Sequence, residues 1–249
     1  MNVKFKMPKL SNLLKKSWAS ELLMTFLGTT ISIVLTFGTA TWVEHRQQMK
    51  NRRQTAMMVI SNINVFGENM RYIDSTLVKW SSTLRYIAEL PRDSVLNLST
   101  DDANAFLSAM FGAMLLQRDK TAENIFTSDI STWRDVGNLR FISSVGECYS
   151  FINDIEKNYR IQLERKGELR QRFFEDYYNE QMTGGECVAA LLDMKGTKYF
   201  INDFTGSFVY YFEESINNLL QMNRINMQLI GVTPEEVMNF IKAGEQPLQ

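Results

Sequence analysis

The most regular pattern of apolar positions lies between residues 59 and 87. Val59, Ile63, Phe66, Met70, Ile73, Leu77, Trp80, Leu84 and Ile87 follow one another at alternating intervals of four and three. This spacing is a helical core stripe, about 42 Å long at roughly 1.5 Å per residue. Pro91 ends the helix, because its ring pushes Leu90 out of helical geometry. Such a stripe serves either as a seam between separate chains or as one side of an intramolecular bundle. Several helices follow and need a surface to pack on, so the bundle is expected.

Upstream the pattern changes from periodic to continuous. Leu22–Val43 runs 22 residues without a charge between Glu21 and Glu44. As a helix it measures about 33 Å, the thickness of a bilayer's hydrocarbon core. Trp18 and Trp42 flank it, where indole rings prefer to sit. A buried helix of a soluble domain rarely stays charge-free on every face for this length. A cleavable signal peptide would use the small residues Gly38-Thr39-Ala40, but its apolar run is ordinarily shorter. An uncleaved transmembrane helix is expected. Glycine and proline are absent from Thr39 to Phe66, so the span should continue directly into the striped helix. Gly28, Ser32, Thr36 and Ala40 recur at every fourth position, a ridge along which two membrane helices can approach closely. Thr25, Thr29 and Thr30 could add hydrogen bonds there.

Beyond Pro91 the periodicity predicts only helices. A second begins at the capping run Ser99–Asp102 and continues to Gln117, with Phe106, Met110 and Met114 on its face. Asp119 or Thr121 caps a short helix through Trp133, and Gly137-Asn138 makes a turn. A long helix spans Ser144–Met182, with Cys148, Ile152, Ile155, Tyr159 and Leu163, then Leu169, Phe173 and Tyr177, on its apolar side. Gly167 falls inside it. Glu156/Arg160 and Glu168/Arg172 are favourable i,i+4 pairs on its wet face. Gly184-Gly185 reads as its end and as the clearest flexible joint in the chain. The aromatic run Tyr199–Phe212 starts as a short extended piece, with Phe204, Phe208 and Phe212 on a helical face, and Ser215–Ile230 continues as helix. Thr233 as cap, Pro234 and Glu236 form the start of a last helix. With no set of strands in the pattern, the fold class is all-α: a basic arm over 1–21, a transmembrane helix over 22–43 and a helical bundle over 44–249.

Composition narrows the picture. Over 249 residues, 22% are charged and 45% hydrophobic, which excludes wholesale disorder and a polytopic membrane protein. The net charge of −1 hides an asymmetry: residues 1–60 hold 9 of the 27 basic and 2 of the 28 acidic residues. A basic collar therefore adjoins the span, suited to anionic headgroups or to setting topology, and the body is acidic. Nothing points to nucleic acid. Lys4, Lys6, Lys9, Lys15 and Lys16 precede the span, and Arg46, Lys50, Arg52 and Arg53 follow it. The wholly basic arm favours a cytoplasmic N-terminus and an extracytoplasmic bundle.

Chemistry is sparse. Two cysteines and one histidine leave no material for the usual zinc sites. No phosphate-binding, dinucleotide, nucleophile-elbow or HExxH pattern occurs, so no catalytic, cofactor-binding or metal residue is nominated and no cofactor is expected. His45 sits at headgroup level as a solvated polar residue. Asp101, Asp102 and Asp203 are explained by capping and solvation. Cys148, on an apolar face, reads as a buried free thiol, with a disulfide to Cys187 as the alternative. Tyr199, Phe200, Phe204, Phe208, Tyr210, Tyr211 and Phe212 read as core before they read as a ligand surface.

Two stretches carry a resemblance. ELLMTFLGTTISIVLTFGTATWVEHRQQMKNRRQ (Glu21–Gln54) and STWRDVGNLRFI (Ser131–Ile142) resemble an uncharacterised family of bacterial single-span membrane proteins. That family carries Gly-Glu before its span and Asn-Trp-Asn-Glu after it, where this chain has Ser20-Glu21 and Trp42-Val43-Glu44. The resemblance covers about residues 20–160 and implies an anchored helical protein of the bacterial inner membrane. It supplies no functional residue. The function expected is a non-enzymatic interaction or scaffold module, as a homo-oligomer or with a membrane protein partner. The alternative is a sensory or signal-transmitting extracytoplasmic domain acting through such a partner.

Overall fold

Apolar spacing sets the helices of this chain, and a few glycines and caps set where they stop. The computed structural model describes residues 11–128 and 138–244, leaving the side chains of 11–23, 33–38, 40, 41 and 244 undescribed. Helix α1 runs Ser11–Ala88 without a break. It is followed by α2 (Arg92–Leu96), α3 (Thr100–Phe111), α4 (Thr121–Ser128), α5 (Leu139–Asp176), α6 (Gly184–Asp193) and α7 (Thr197–Asp203). A π-helical turn, Phe204–Phe208, then leads into α8 (Val209–Leu229), and α9 (Pro234–Gly244) closes the order. Among the described residues there are nine α-helices and no strand. The fold is an all-α bundle. The chain divides into two units, residues 1–54 and 55–249.

Within the second unit the stripe of α1 is the spine. Val59, Ile63, Phe66, Met70, Ile73, Leu77, Leu84 and Ile87 are buried and Trp80 is half-buried against the same core. Helices of the same chain cover them: α8 through Asn223, whose Nδ2 donates to the Ile60 carbonyl at 3.0 Å, and α5 through Tyr149, whose hydroxyl meets Asn62 Oδ1 at 3.4 Å. The stripe is thus one wall of a bundle. Burying eight such side chains, each worth about 1.5–3 kcal/mol, holds this part of α1 in the core.

Five boundaries differ from the periodic expectation. Helix α3 stops at Phe111 instead of Gln117. Gly112 turns away from helical geometry (ψ 140°), and a Cβ there would collide with the Ser108 carbonyl and lie 2.8 Å from the Trp80 ring. Residues 112–120 then run as a non-helical strip. Helix α5 starts early, at Leu139, because Asn138 caps it, its Oδ1 accepting from the Phe141 amide. It passes through Gly167 unbroken and stops at Asp176. Gly184-Gly185 is no flexible joint: it opens α6 behind a complete capping box of Thr183 and Glu186. Gly185 is buried so tightly against the Val95 and Leu96 carbonyls that only glycine fits. The aromatic run also starts as helix (α7), not as an extended piece. Its phenylalanines 200, 204, 208 and 212 are buried, with successive centroids 5.6, 5.5 and 5.6 Å apart.

Other expectations hold. Ser99 caps α3, accepting from the Asp102 amide, and Thr233 and Glu236 form their reciprocal box at α9. Both cysteines are buried and unpaired. In the first unit α1 is helical throughout residues 44–54. Among the described residues no helix is long and apolar enough to cross a membrane. The fold therefore supports the all-α bundle and gives the span expected over Leu22–Val43 no support of its own; about half of that run's side chains lie outside the described residues. Lys4, Lys6, Lys9, Trp133 and Gly137, and the side chains of Lys15, Lys16, Trp18, Thr36 and Ala40, also lie outside them.

Candidate functional site

Gly28 and Ser32, the described half of the small-residue ridge, are exposed one turn apart on α1, and nothing lies within 4 Å of a Cβ built on Gly28. Thr29 spends its hydroxyl on its own helix, donating to the Thr25 carbonyl at 2.8 Å. His45 is exposed. Asp101 and Asp102 stand in the first turn of α3. Among the described residues no group of His, Cys, Asp and Glu could hold a metal.

The polar chemistry lies inside the bundle, on α5. Its buried stripe reads Cys148, Ile152, Ile155, Tyr159, Gln162, Lys166, Leu169 and Phe173, the same four-three alternation as α1. Counting only apolar residues skips Gln162 and Lys166. Extending the interval from Tyr159 finds both, and that was the signal available. Lys166 is 3% exposed. Its Nζ donates to the Ala109 carbonyl at 2.7 Å and to the Gly112 carbonyl at 3.2 Å, at the C-terminal end of α3. The Trp80 and Phe204 rings lie on it at 4.1 and 4.8 Å. Helix-end carbonyls and ring faces favour an ammonium. Burial acts the other way and pulls its pKa down to about 7. A lysine so tuned is a nucleophile in kind. Its amine is enclosed by two carbonyls and two rings.

One turn away, Gln162 is 8% exposed and its Oε1 has no hydrogen-bond partner. An amide oxygen buried in that state costs about 1–3 kcal/mol. Gln162 lines a half-open cleft of about 340 Å³ between α5 and the π turn. At the mouth Arg165 Nη1 and Asp203 Oδ2 pair at 2.7 Å. The turn's Ser207 and Phe208 line the opposite wall. A π turn inserts one residue into a helix and re-aims the side chains after it, which is why such turns gather at functional sites. Arg85 of α1 fastens this one, donating to the Thr205 carbonyl at 3.0 Å. Asp203, expected to be merely solvated, is thus part of the cleft.

A second buried cation is paired with carboxylates through both terminal nitrogens, while its Nε has no hydrogen-bond partner. The Arg118 side chain is 3% exposed, and its guanidinium pairs with Glu123 at 2.5 Å and Glu156 at 2.8 Å and donates to Asn153 Oδ1 at 2.8 Å. Nothing in the local sequence marked it, because its partners come from α4 and α5. Cys148, held against Asn226 Nδ2 at 3.4 Å, has its thiol pushed up to about 11 by burial. Compared with family models, curated proteins and solved structures, the chain matches none.

Proposed function

We propose that this chain is a membrane-anchored helical protein whose bundle works as a non-enzymatic interaction or scaffold module. The observation that carries the reading is continuity: the charge-free run Leu22–Val43 belongs to the same helix, Ser11–Ala88, whose stripe is the bundle's spine. The large apolar side chains described in that run support it, since Met24 is 74% and Phe26 69% exposed. Side chains of this kind are stable in lipid and not in water. The basic arm and the resemblance to bacterial single-span proteins favour the inner membrane, an N-terminus in the cytoplasm and the bundle outside it. Alkaline carbonate extraction of native membranes tests the anchor: the chain should stay in the pellet, and its release would end the proposal. Sidedness follows from Asn104→Cys on exposed α3, labelled on intact cells with an impermeant maleimide. Labelling fits the orientation given, and protection reverses it. Cross-linking with and without Gly28→Ile and Ser32→Ile tests self-association along the small-residue ridge, and an unchanged dimer yield removes that contact.

A second reading, a sensory domain acting through a membrane partner, is favoured by one contact. Arg85 and Trp80 of α1 hold the π turn and the lysine behind it. A change in the turn would therefore be felt by the helix that carries the apolar run. The measurement is the cross-linking yield of α1 in the presence and absence of an occupant of the cleft.

A further inference from the structure

A second hollow, of about 300 Å³, separates the end of α1 from the helix entering the π turn. Arg85 and Glu89 stand on one wall, and Lys198, Asn202 and Gly206 on the other. All of them are exposed, so the charged ends are open to an occupant. At the Gln162 cleft the opposite charges are spent on each other. Here, among the described residues, no ion pair takes Arg85, Glu89 or Lys198. Arg85 is the reason. Glu89 follows it by four residues, the spacing of a helical ion pair, yet the Arg85 Nη2 reaches across to the Thr205 carbonyl at 3.0 Å. Glu89 is left without a cation, and the other guanidinium donors stay open. On the far wall Asp193, which borders a neighbouring hollow together with Lys198, is taken by Arg92. Lys198 keeps its whole charge.

The arrangement of these charges restricts the occupant. One exposed ion pair adds little to affinity, so selection comes from how several are placed together. Arg85 and Glu89, side by side on one wall, match a carboxylate and an ammonium carried on one carbon, the head of an α-amino acid. Lys198 and the Asn202 amide, one helical turn apart, match a second carboxylate across the gap. Two positive charges and one negative in the walls are the complement of two negative and one positive in the ligand. We infer that this hollow binds a free acidic α-amino acid, its α-carboxylate on Arg85, its ammonium on Glu89 and its side-chain carboxylate on Lys198. A volume of about 300 Å³ sits at the small end of ligand sites, as such a molecule requires. The occupant ties α1 to the π turn. The inference does not rest on the membrane reading: carbonate extraction can overturn that reading and leave this one standing.

The test uses the full-length chain in an uncharged detergent, probed by calorimetric titration and saturation-transfer NMR. The probes are L-glutamate and L-aspartate, against glutarate, L-alanine and putrescine, which lack the ammonium, the second carboxylate and any carboxylate. L-Glutamate or L-aspartate should bind, and each of the other three should bind more weakly by roughly tenfold or more. Lys198→Met, on an exposed residue, should weaken L-glutamate by a similar factor at an unchanged melting temperature. Glu89→Gln should close the gap between L-glutamate and glutarate, which only a carboxylate facing the ammonium would produce. Gly206→Phe fills the hollow from a position where a Cβ meets nothing within 4 Å, and should abolish binding. No binding of either acidic amino acid, or glutarate or L-alanine bound as tightly as L-glutamate, would overturn the assignment. So would a gap that survives Glu89→Gln, or L-glutamate binding unmoved by Lys198→Met or Gly206→Phe.

Discussion

Arg118 and Lys166 are both buried cations, and they anchor the two ends of the same non-helical strip, residues 112–120, in opposite ways. Arg118 brings its charge into the core between two carboxylates, Glu123 and Glu156. Lys166 donates to the strip's first carbonyl, that of Gly112, and to that of Ala109, and lies against the Trp80 and Phe204 rings; neither of its hydrogen bonds goes to a carboxylate. The difference follows from the side chains. A guanidinium cannot shed its proton at accessible pH and needs compensating charge when buried, whereas an ammonium can lose its proton and tolerate dipoles alone. The first arrangement is fixed. The second is titratable.

Removing the charge should separate the two most sharply. Arg118→Met strands two carboxylates in a part-buried site and should cost about 3–5 kcal/mol, read from denaturant unfolding. A smaller loss would mean that the glutamates reach water unaided. Titration comes next. Because the folded pKa of Lys166 lies near 7, below the ordinary lysine value of 10.5, the unfolded chain binds more protons between those limits. Lys166 therefore makes the fold more stable as pH rises through that window, by at most about 1.4 kcal/mol per pH unit, and that gain is lost as pH falls back through about 7. Subtracting the Lys166→Met profile from the parent isolates the slope, and parallel profiles would show that rings and carbonyls keep the ammonium charged throughout. Asp74 gives a control of opposite sign at acid pH. Burial, with Glu213 nearby, raises it from 3.8 to about 6, so its contribution is present below 3.8 and is lost as pH rises through about 6.

At neutral pH, Lys166→Met should change stability by less than about 1.5 kcal/mol in either direction, since lost desolvation offsets two carbonyls left without a donor. A loss as large as that of Arg118→Met would erase the distinction. The smallest effect belongs to the half-exposed pair at the cleft: Arg165→Ala should cost no more than about 1 kcal/mol.

The readable parts of this fold were those written in one helix at a time. The stripe from Val59 to Ile87, the stop before Pro91 and the Thr233–Glu236 box are local patterns, and each is found where the spacing expected it. The cleft was not legible, because it depends on Asp203, Ser207 and Arg165 meeting across elements, and on a π turn whose sequence, Phe-Thr-Gly-Ser-Phe, carries no distinct signal. Gly184-Gly185 misled for a related reason. Glycine marks either freedom or crowding, and only the Val95–Leu96 backbone pressed against it decides which. Lys166 lay between: the interval pointed to it, and its charge argued against burial.

Gly112 ends α3 and hands the chain to a strip fastened chiefly by side chains reaching across from its neighbours. Asn62 donates to the Asp119 carbonyl at 3.0 Å, Tyr159 to that of Met114 at 2.9 Å, and Lys166 to that of Gly112. A segment sewn down by a few stitches instead of a ladder should lift before the helices melt. Its first consequence would be to wet the lysine underneath, so proteolytic nicking and amide exchange should both begin there.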